Sequence, residues 1–345
     1  MMLRLSILAW LLVIWPFHLF AESTLDPQCV LELADSGNRA MTLAELREQC
    51  ALAEREVTVA ASEDDPAEEN PPEEIDGPVE KRLMADRVAA LRPFSLMAHK
   101  PNYFLAGVYN TRGWDPTLFQ DQAGDPDLEL DDIESQFQVS LKVPLAIGLL
   151  DDRMDVYAAY TNRSFWQVYN EELSKPFRET NHEPEVWAQF TNDWSVFGFA
   201  NTLNTVGLVH QSNGRSGELS RSWNRLQASF LFEKRYLVLG FRPWIWIDTD
   251  KSGGDNPDID EFMGHGEFRL AYGRGGHVLS AMIRNQIESG FDRGAVELSW
   301  SIPVFDYPYL KFYLQYFNGY GESLLDYDRK VNRIGIGISI TDWLD

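Results

Sequence analysis

From about residue 102 to the C-terminus, apolar and polar side chains alternate with a period of two residues. The segment 331–343 shows this clearly, because isoleucines occupy positions 334, 336, 338 and 340 while polar or small residues occupy the positions between them. Successive side chains of a β-strand point to opposite faces. The pattern therefore predicts strands with one apolar face and one face that is mostly polar or small.

Twelve strand-length segments show this alternation, and clusters of Gly, Pro, Asn and Asp separate them. They are 102–110, 134–145, 153–162, 184–193, 204–212, 223–232, 236–247, 262–272, 277–286, 294–302, 308–319 and 331–343. The connections between them alternate between long and generally shorter. An even number of strands with long loops at one end is typical of outer-membrane barrels. The sequence therefore predicts an all-β fold, a twelve-stranded antiparallel transmembrane β-barrel, over residues 101–345.

The first 21 residues have the features of a secretory signal peptide. Arg4 precedes an apolar stretch from Leu5 to Trp15, and Ala21 ends a possible cleavage site. A retained anchor is the lesser alternative, because the apolar stretch is shorter than the roughly 20 residues that cross a bilayer as a helix. Export also argues against a soluble β-sandwich, which would show the same alternation.

Residues 22–100 are expected to form a periplasmic extension. A capping box at 42–45 predicts a short helix that ends near Cys50, and a Cys29–Cys50 bridge would stabilise this unit after export. Two unpaired thiols are the alternative. Between residues 51 and 80 there are 11 acidic residues, one Arg and several prolines, which predicts a linker. A short amphipathic helix is expected from Val79 to Leu91, before Pro93.

The composition excludes several classes of function. The net charge of −23 makes a nucleic-acid partner improbable, since phosphate binding needs a basic face. Two cysteines cannot form a four-cysteine zinc site. The chain also lacks Gly-x-Ser-x-Gly, His-Glu-x-x-His and glycine-rich phosphate loops.

The strands at 204–212 and 223–232 carry the candidate chemistry. In the first, His210 and Ser212 share the face of Val206 and Leu208, and in the second Asn224 shares the face of Leu226. Polar groups at a lipid boundary need partners, and a hairpin can bring these three together. His210 could then take the hydroxyl proton of Ser212 while Asn224 orients the imidazole. This arrangement indicates ester hydrolysis at a lipid-facing surface.

These residues lie in a longer similarity to a known family. Residues 207–216, GLVHQSNGRS, followed by SRSWNRL at 220–226, resemble the signature of outer membrane phospholipase A. Other family segments follow the same order: YT at 160–161, SFWQ at 164–167, PFRETN at 176–181, EP at 183–184, DNPDI at 255–259 and GYGESL at 319–324. The resemblance covers roughly residues 100–345 and leaves out 22–100.

The resemblance implies a calcium-dependent homodimer in the outer membrane that hydrolyses sn-1 and sn-2 acyl esters of phospholipids and lysophospholipids. Ser212 matches the family nucleophile, His210 the base, Asn224 the orienting amide, and the Gly214 N–H the oxyanion hole. One Ca²⁺ per monomer is expected at the dimer interface. Its implied ligands are the Arg215 carbonyl, the Ser220 hydroxyl and the partner subunit's Ser174.

Two departures from the family pattern bear on these expectations. Asn162 stands where the family often has a Gln buried between the paired barrels. Gly217 stands where members carry an Asp that, with a carboxylate matching Asp255, binds a second calcium; Glu218 is a possible substitute. The acidic loop 248–261 otherwise favours an ordinary outer loop, since it lacks the last Glu of an EF-hand.

Two alternatives to a phospholipase stay open from the sequence. One is a non-catalytic barrel, either a porin or a structural protein, and the other is an inactive relative of the family. Tryptophans 223, 300 and 343 are interpreted as members of an aromatic girdle at the membrane interfaces.

Overall fold

The computed structural model describes residues 77–192, 194–247, 256–285, 290, 292–305 and 307–344. The predictions for the signal peptide, the Cys29–Cys50 bridge and most of the acidic linker lie outside the described residues, and so does Asp255. They stay predictions.

Twelve long strands occupy the predicted segments, several of them extended by a few residues. The predicted start of the eighth strand, at residue 262, is wrong, because Ile259–Met263 is helical and the strand begins at Gly266. In chain order they are β1 (Asn102–Asn110), β2 (Ile133–Gly148), β3 (Met154–Trp166), β4 (Phe177–Thr191), β5 (Phe199–Ser212), β6 (Ser222–Lys234), β7 (Leu237–Ile247), β8 (Gly266–Arg274), β9 (His277–Asn285), β10 (Gly294–Val304), β11 (Tyr307–Gly319) and β12 (Val331–Thr341). Two short segments, Met97–Ala98 and Ser195–Val196, add to β2 and β5.

The twelve strands close into a barrel. Each strand pairs antiparallel with the next, and β12 pairs with β1. At the closing pair, Gly337 lies opposite Leu105, and a Cβ built on Gly337 would lie 1.9 Å from the carbonyl oxygen of Phe104. Only glycine allows the two backbones to approach this closely. The predicted all-β barrel is confirmed, with long loops at one end and short turns at the other.

The outer wall of the barrel is apolar and its lumen is polar. Ile334, Ile336 and Ile340 are exposed, whereas Arg333 and Ser339 are buried inside. Trp300 is exposed, in agreement with the girdle prediction, but that prediction is wrong for Trp223 and Trp343. Trp343 packs against the cluster of Val79, Val238 and Ala271, with the Arg269 guanidinium 3.9 Å from its ring. Trp223 is only 2% exposed and packs edge-on against Trp244 within the lumen.

The lumen is filled at the end that carries the long loops. Arg178 donates to both carboxylate oxygens of Glu134, at 2.9 Å each, and pairs with Asp326 of the loop 320–330. Arg333 and Glu322 form another buried pair. In the described part of the chain, these side chains occupy the space that a porin would leave to water, which argues against a passive channel.

The short-turn end of the lumen contains helix α1 (Pro78–Ala90), close to the predicted 79–91. Proline at the first turn favours a helix start, and the Glu233 carboxylate accepts the N–H groups of Val79 and Glu80 at 2.8 and 3.2 Å. Val79 packs against Val238 and Ala271 of the wall. The helix therefore belongs to the folded barrel.

The other helical segments are short: α2 (Thr117–Ala123), α3 (Leu149–Asp152), a 3₁₀ turn (Gly217–Leu219) and α4 (Ile259–Met263). None of the helices in the described ranges has the length and apolar character needed to cross a membrane.

Candidate active site on the outer wall

His210 and Asn224 face each other across the β5–β6 hairpin. They are direct cross-strand partners, and His210 Nδ1 lies 2.8 Å from Asn224 Oδ1. An amide oxygen can only accept, so Nδ1–H is the donor. The Nε2 lone pair is then available to accept a proton, which is the state that a general base needs.

Ser212 lies two residues beyond His210 on the same face of β5. This face is the outer wall: Val206 is 47% exposed and Leu208 52%, whereas Val209 between them and His210 is 4% exposed. The structure thus brings His210 and Asn224 into contact on the apolar wall and places Ser212 on the same face of β5.

Asn213 organises the loop that follows Ser212. Its buried side chain accepts the N–H groups of Arg215 (3.3 Å) and Arg221 (3.0 Å) through Oδ1, and donates to the carbonyl of Leu219 at 2.8 Å. Its own N–H donates to the Arg221 carbonyl at 3.0 Å. The loop 213–221 is thereby closed on itself. Sequence reasoning assigned no role to Asn213, although it lies within the family signature.

Two glycines give this loop its shape. Gly214 has φ +65° and Gly217 has φ +66°, both in the left-handed region that favours glycine. Gly214 places its backbone next to Ser212, and Gly217 begins the 3₁₀ turn in which Ser220 N–H donates to the Gly217 carbonyl at 3.0 Å. The backbone conformation thus determines where Ser220 and the Gly214 N–H lie.

The side chain of Arg215 fastens the loop to β4. Its guanidinium donates to the carbonyls of Phe177 (3.1 Å) and Arg178 (2.8 Å) and lies 3.6 Å from the Glu179 carboxylate. The side chain therefore has a positioning contact, and the carbonyl of Arg215 stays a ligand candidate.

The candidate cation ligands are all neutral oxygens. The Arg215 carbonyl and the Ser220 hydroxyl belong to the loop 213–221, while Ser174 is exposed on the loop 167–176, with φ 57°. The described residues contain no group of three or more His, Cys, Asp or Glu that could hold a metal. The carbonyl and hydroxyl oxygens of these three residues are donors that fit a hard cation such as Ca²⁺, which takes 6–8 oxygens. The loop 213–221 would supply two of these oxygens, so a bound cation would need further ligands from elsewhere.

Other residues support the site from its edges. Asn256 is buried, and its Oδ1 accepts the Ser222 N–H at 2.9 Å, which fixes the start of β6. Tyr327 donates a hydrogen bond to Asp258, and burial, together with this bond, raises the pKa of Tyr327 above its usual value. His182 on β4 lies directly opposite Ser212. The sequence alone assigned no individual role to Asn256, Asp258, Tyr327 or His182, although Asn256 and Asp258 lie in the family segment 255–259.

Taken together, a closed twelve-stranded barrel with a serine, a histidine and an asparagine on its apolar outer wall defines a membrane barrel with hydrolase-type chemistry facing outward. The family model described as Phospholipase A1 matches residues 79–340. The chain belongs to this family.

Individual relatives agree with this assignment. Phospholipase A1 of Proteus vulgaris is 36% identical over 253 residues, which cover 72% of this chain and 83% of the relative. An active-site mutant of outer membrane phospholipase A from Escherichia coli, with an asparagine replaced by alanine, superposes with a TM-score of 0.67 at 33% identity, covering 74% of this chain and 95% of that one. The Salmonella typhi outer membrane phospholipase dimer with bound calcium gives 0.66 at 32%, covering 74% and 96%.

Proposed function

We propose that this chain is a calcium-dependent outer-membrane phospholipase that hydrolyses sn-1 and sn-2 acyl esters of phospholipids and lysophospholipids. The observation that carries the proposal is the 2.8 Å contact between His210 and Asn224 beside Ser212, on a wall whose neighbouring side chains are apolar. A phospholipid could bring its ester to this surface while its acyl chains stay in the hydrocarbon of the bilayer. Membership of the phospholipase A1 family supports the same chemistry.

The proposed reaction begins when Ser212 Oγ attacks the ester carbonyl carbon and its proton passes to His210 Nε2. Asn224 holds the ring through Nδ1–H; being neutral, it orients the imidazolium rather than offsetting its charge. The Gly214 N–H donates to the developing oxyanion. As the oxyanion collapses, the ester C–O bond breaks and His210 returns the proton to the leaving alcohol oxygen. Water, deprotonated by His210, then attacks the acyl-serine carbonyl carbon; the bond to Ser212 Oγ breaks, His210 returns the proton to Oγ and the fatty acid leaves.

The proposed cofactor is one Ca²⁺ per monomer, held by the Arg215 carbonyl, the Ser220 hydroxyl and the partner subunit's Ser174. When bound, calcium supplies positive charge and polarised water near the developing oxyanion. A homodimer would complete each site, since the loop 213–221 supplies fewer oxygens than calcium takes. The calcium-bound dimer of the Salmonella typhi relative supports this arrangement. Asp255 is a less direct candidate for a second calcium.

The proposed location is the outer membrane, with the strands spanning the bilayer and the part of the extension that precedes α1 on the periplasmic side. The short turns and α1 would then face the periplasm, while the loop 213–221 would lie toward the cell exterior. This orientation places the Ser212 site in the outer leaflet.

Release of fatty acid from phosphatidylethanolamine by the refolded full chain tests the function. Wild type and Ser212→Ala are compared with calcium and with chelator, and barrel folding is checked by heat-dependent electrophoretic mobility. We expect release that needs both calcium and Ser212. If folded, chemically crosslinked wild-type dimer releases no fatty acid, the proposal fails and a passive barrel becomes the better description.

A further inference from the structure

His182 places a second imidazole beside Ser212. It lies on β4 in direct register with Ser212 on β5, and cross-strand partners have Cβ atoms about 4.5–5.5 Å apart. Its face is the outer wall, because Val186 on the same face is exposed while Glu185 is buried in the lumen. Ser212 therefore has His182 on one side and Ser222 of β6 on the other.

The contacts of His182 Nδ1 favour one tautomer of the ring. Ser164 Oγ donates to Asn162 Oδ1 at 3.0 Å, which turns the Asn162 amide nitrogen toward His182 Nδ1 at 3.4 Å. The Tyr160 hydroxyl lies 2.5 Å from the same Nδ1, and its ring stacks on the imidazole at 6.1 Å between centroids. Since the amide nitrogen can only donate, Nδ1 is an acceptor and the proton sits on Nε2.

The Cδ2–Nε2 side of the His182 ring lies beside the loop that carries Gly214. A Cβ built on Gly214 would lie 3.7 Å from both Cδ2 and Nε2 of the ring. Within the described residues, Nε2 has no hydrogen-bond partner in the protein. The donor thus lies beside the residue whose N–H is assigned to the oxyanion.

We propose that His182 is a second oxyanion donor: its Nε2–H, held by Tyr160 and Asn162 and lying beside Gly214, donates to the ester carbonyl oxygen as negative charge develops there. The inference rests on the proposed function, because it requires attack by Ser212. A neutral imidazole suits this task, since it donates without placing a charge on the apolar wall. Asn162 then gains a role within its own subunit, in addition to the one expected between subunits.

The test compares His182→Phe with His182→Gln. Phenylalanine keeps a planar ring without a donor, whereas the Gln amide restores an N–H at similar reach. Both are assayed as crosslinked dimers at saturating calcium, with His277→Phe, an exposed histidine at the opposite end of the barrel, as the control. Removal of one oxyanion donor costs about 10²–10³ in kcat where it acts in a closed site. We expect a loss near 10² for His182→Phe with KM within about twofold, since ground-state binding is not the target.

Two further readouts separate a donor from a merely structural residue. A long-chain trifluoromethyl ketone forms a hemiketal oxyanion on Ser212, so its inhibition constant should rise for His182→Phe in step with kcat/KM and recover partly for His182→Gln. Unchanged kcat for His182→Phe would overturn the inference, as would an equal loss in Phe and Gln variants together with weakened dimer crosslinking. If Ser212→Ala retains activity, the proposed function itself fails, whatever the His182 variants show.

Discussion

Replacement of Asn224 by alanine removes the hydrogen bond to His210, whose free-energy contribution can be worked out from the structure. Asn224 Oδ1 accepts from His210 Nδ1 at 2.8 Å, and both residues lie on the outer wall. Alanine leaves His210 and Ser212 in place but frees the ring to rotate and to exchange its tautomer. Folding should be little affected, because the side chain is not part of the lumen.

The size of the effect follows from the charge that His210 carries in the transition state. A hydrogen bond to a charged group contributes about 1.5–3 kcal/mol, and each 1.36 kcal/mol is worth about a factor of ten in rate. We therefore expect kcat to fall roughly 10- to 150-fold for Asn224→Ala. Loss of the nucleophile in Ser212→Ala removes the covalent route itself and should leave no measurable hydrolysis.

The assay is fatty-acid release in mixed micelles by crosslinked dimers at saturating calcium, so that dimerisation and cofactor binding do not limit the rate. Asn224→Asp serves as the matched variant, since it keeps an oxygen acceptor at the same reach, and it should retain more activity than Asn224→Ala. Wild-type kcat in Asn224→Ala would refute the orienting role. Complete inactivity of a folded Asn224→Ala barrel would show that the amide does more than orient the ring.

Three further predictions concern the barrel and the cation. Gly337→Ala should lower the free energy of unfolding by about 1–3 kcal/mol or block folding, because its Cβ would meet the carbonyl oxygen of Phe104. Gly107→Ala should fold normally, because a Cβ at that position has nothing within 4 Å. Urea unfolding followed by electrophoretic mobility distinguishes the two variants. Arg178→Ala should lower the free energy of unfolding by about 3–5 kcal/mol in the same assay, because it leaves buried carboxylates unpaired. An unchanged urea midpoint of unfolding would contradict this expectation. Ser220→Ala should raise the calcium concentration needed for half-maximal activity several-fold with little change in unfolding, and an unaltered calcium titration would remove Ser220 from the ligand set.

The two-residue period was enough to predict the barrel because one wall faces hydrocarbon and the other does not. Ile334, Ile336 and Ile340 could not exchange faces with Arg333 without burying charge in lipid, so the register follows from the pattern. The same parity puts Trp223 inside, next to outward-facing Asn224. The girdle interpretation of Trp223 failed because it weighed residue type above face.

The residues that the sequence did not single out act through loops and through pairing between distant strands. Asn213 matters because its side chain hydrogen-bonds backbone N–H and C=O groups within the loop 213–221. His182 lies thirty positions before Ser212, and only the β4–β5 register brings the two together. Alternation predicts which face a residue occupies, but it does not predict which residue of a neighbouring strand lies opposite.

The proposed catalytic residues lie on the outer wall of the barrel because charged side chains occupy the lumen. Arg178, Glu134 and Arg333 sit in the lumen, where each charge has a partner, and the loop 320–330 covers them. These charged side chains offer no apolar surface to acyl chains, whereas the outer wall of the barrel is apolar. There the side chains next to His210 and Ser212 are apolar, and the proposed function would have them contact the acyl chains while the loop 213–221 contacts the head group. The filled lumen and the outward site are therefore two consequences of one sequence pattern, in which charged residues alternate with apolar ones along most strands.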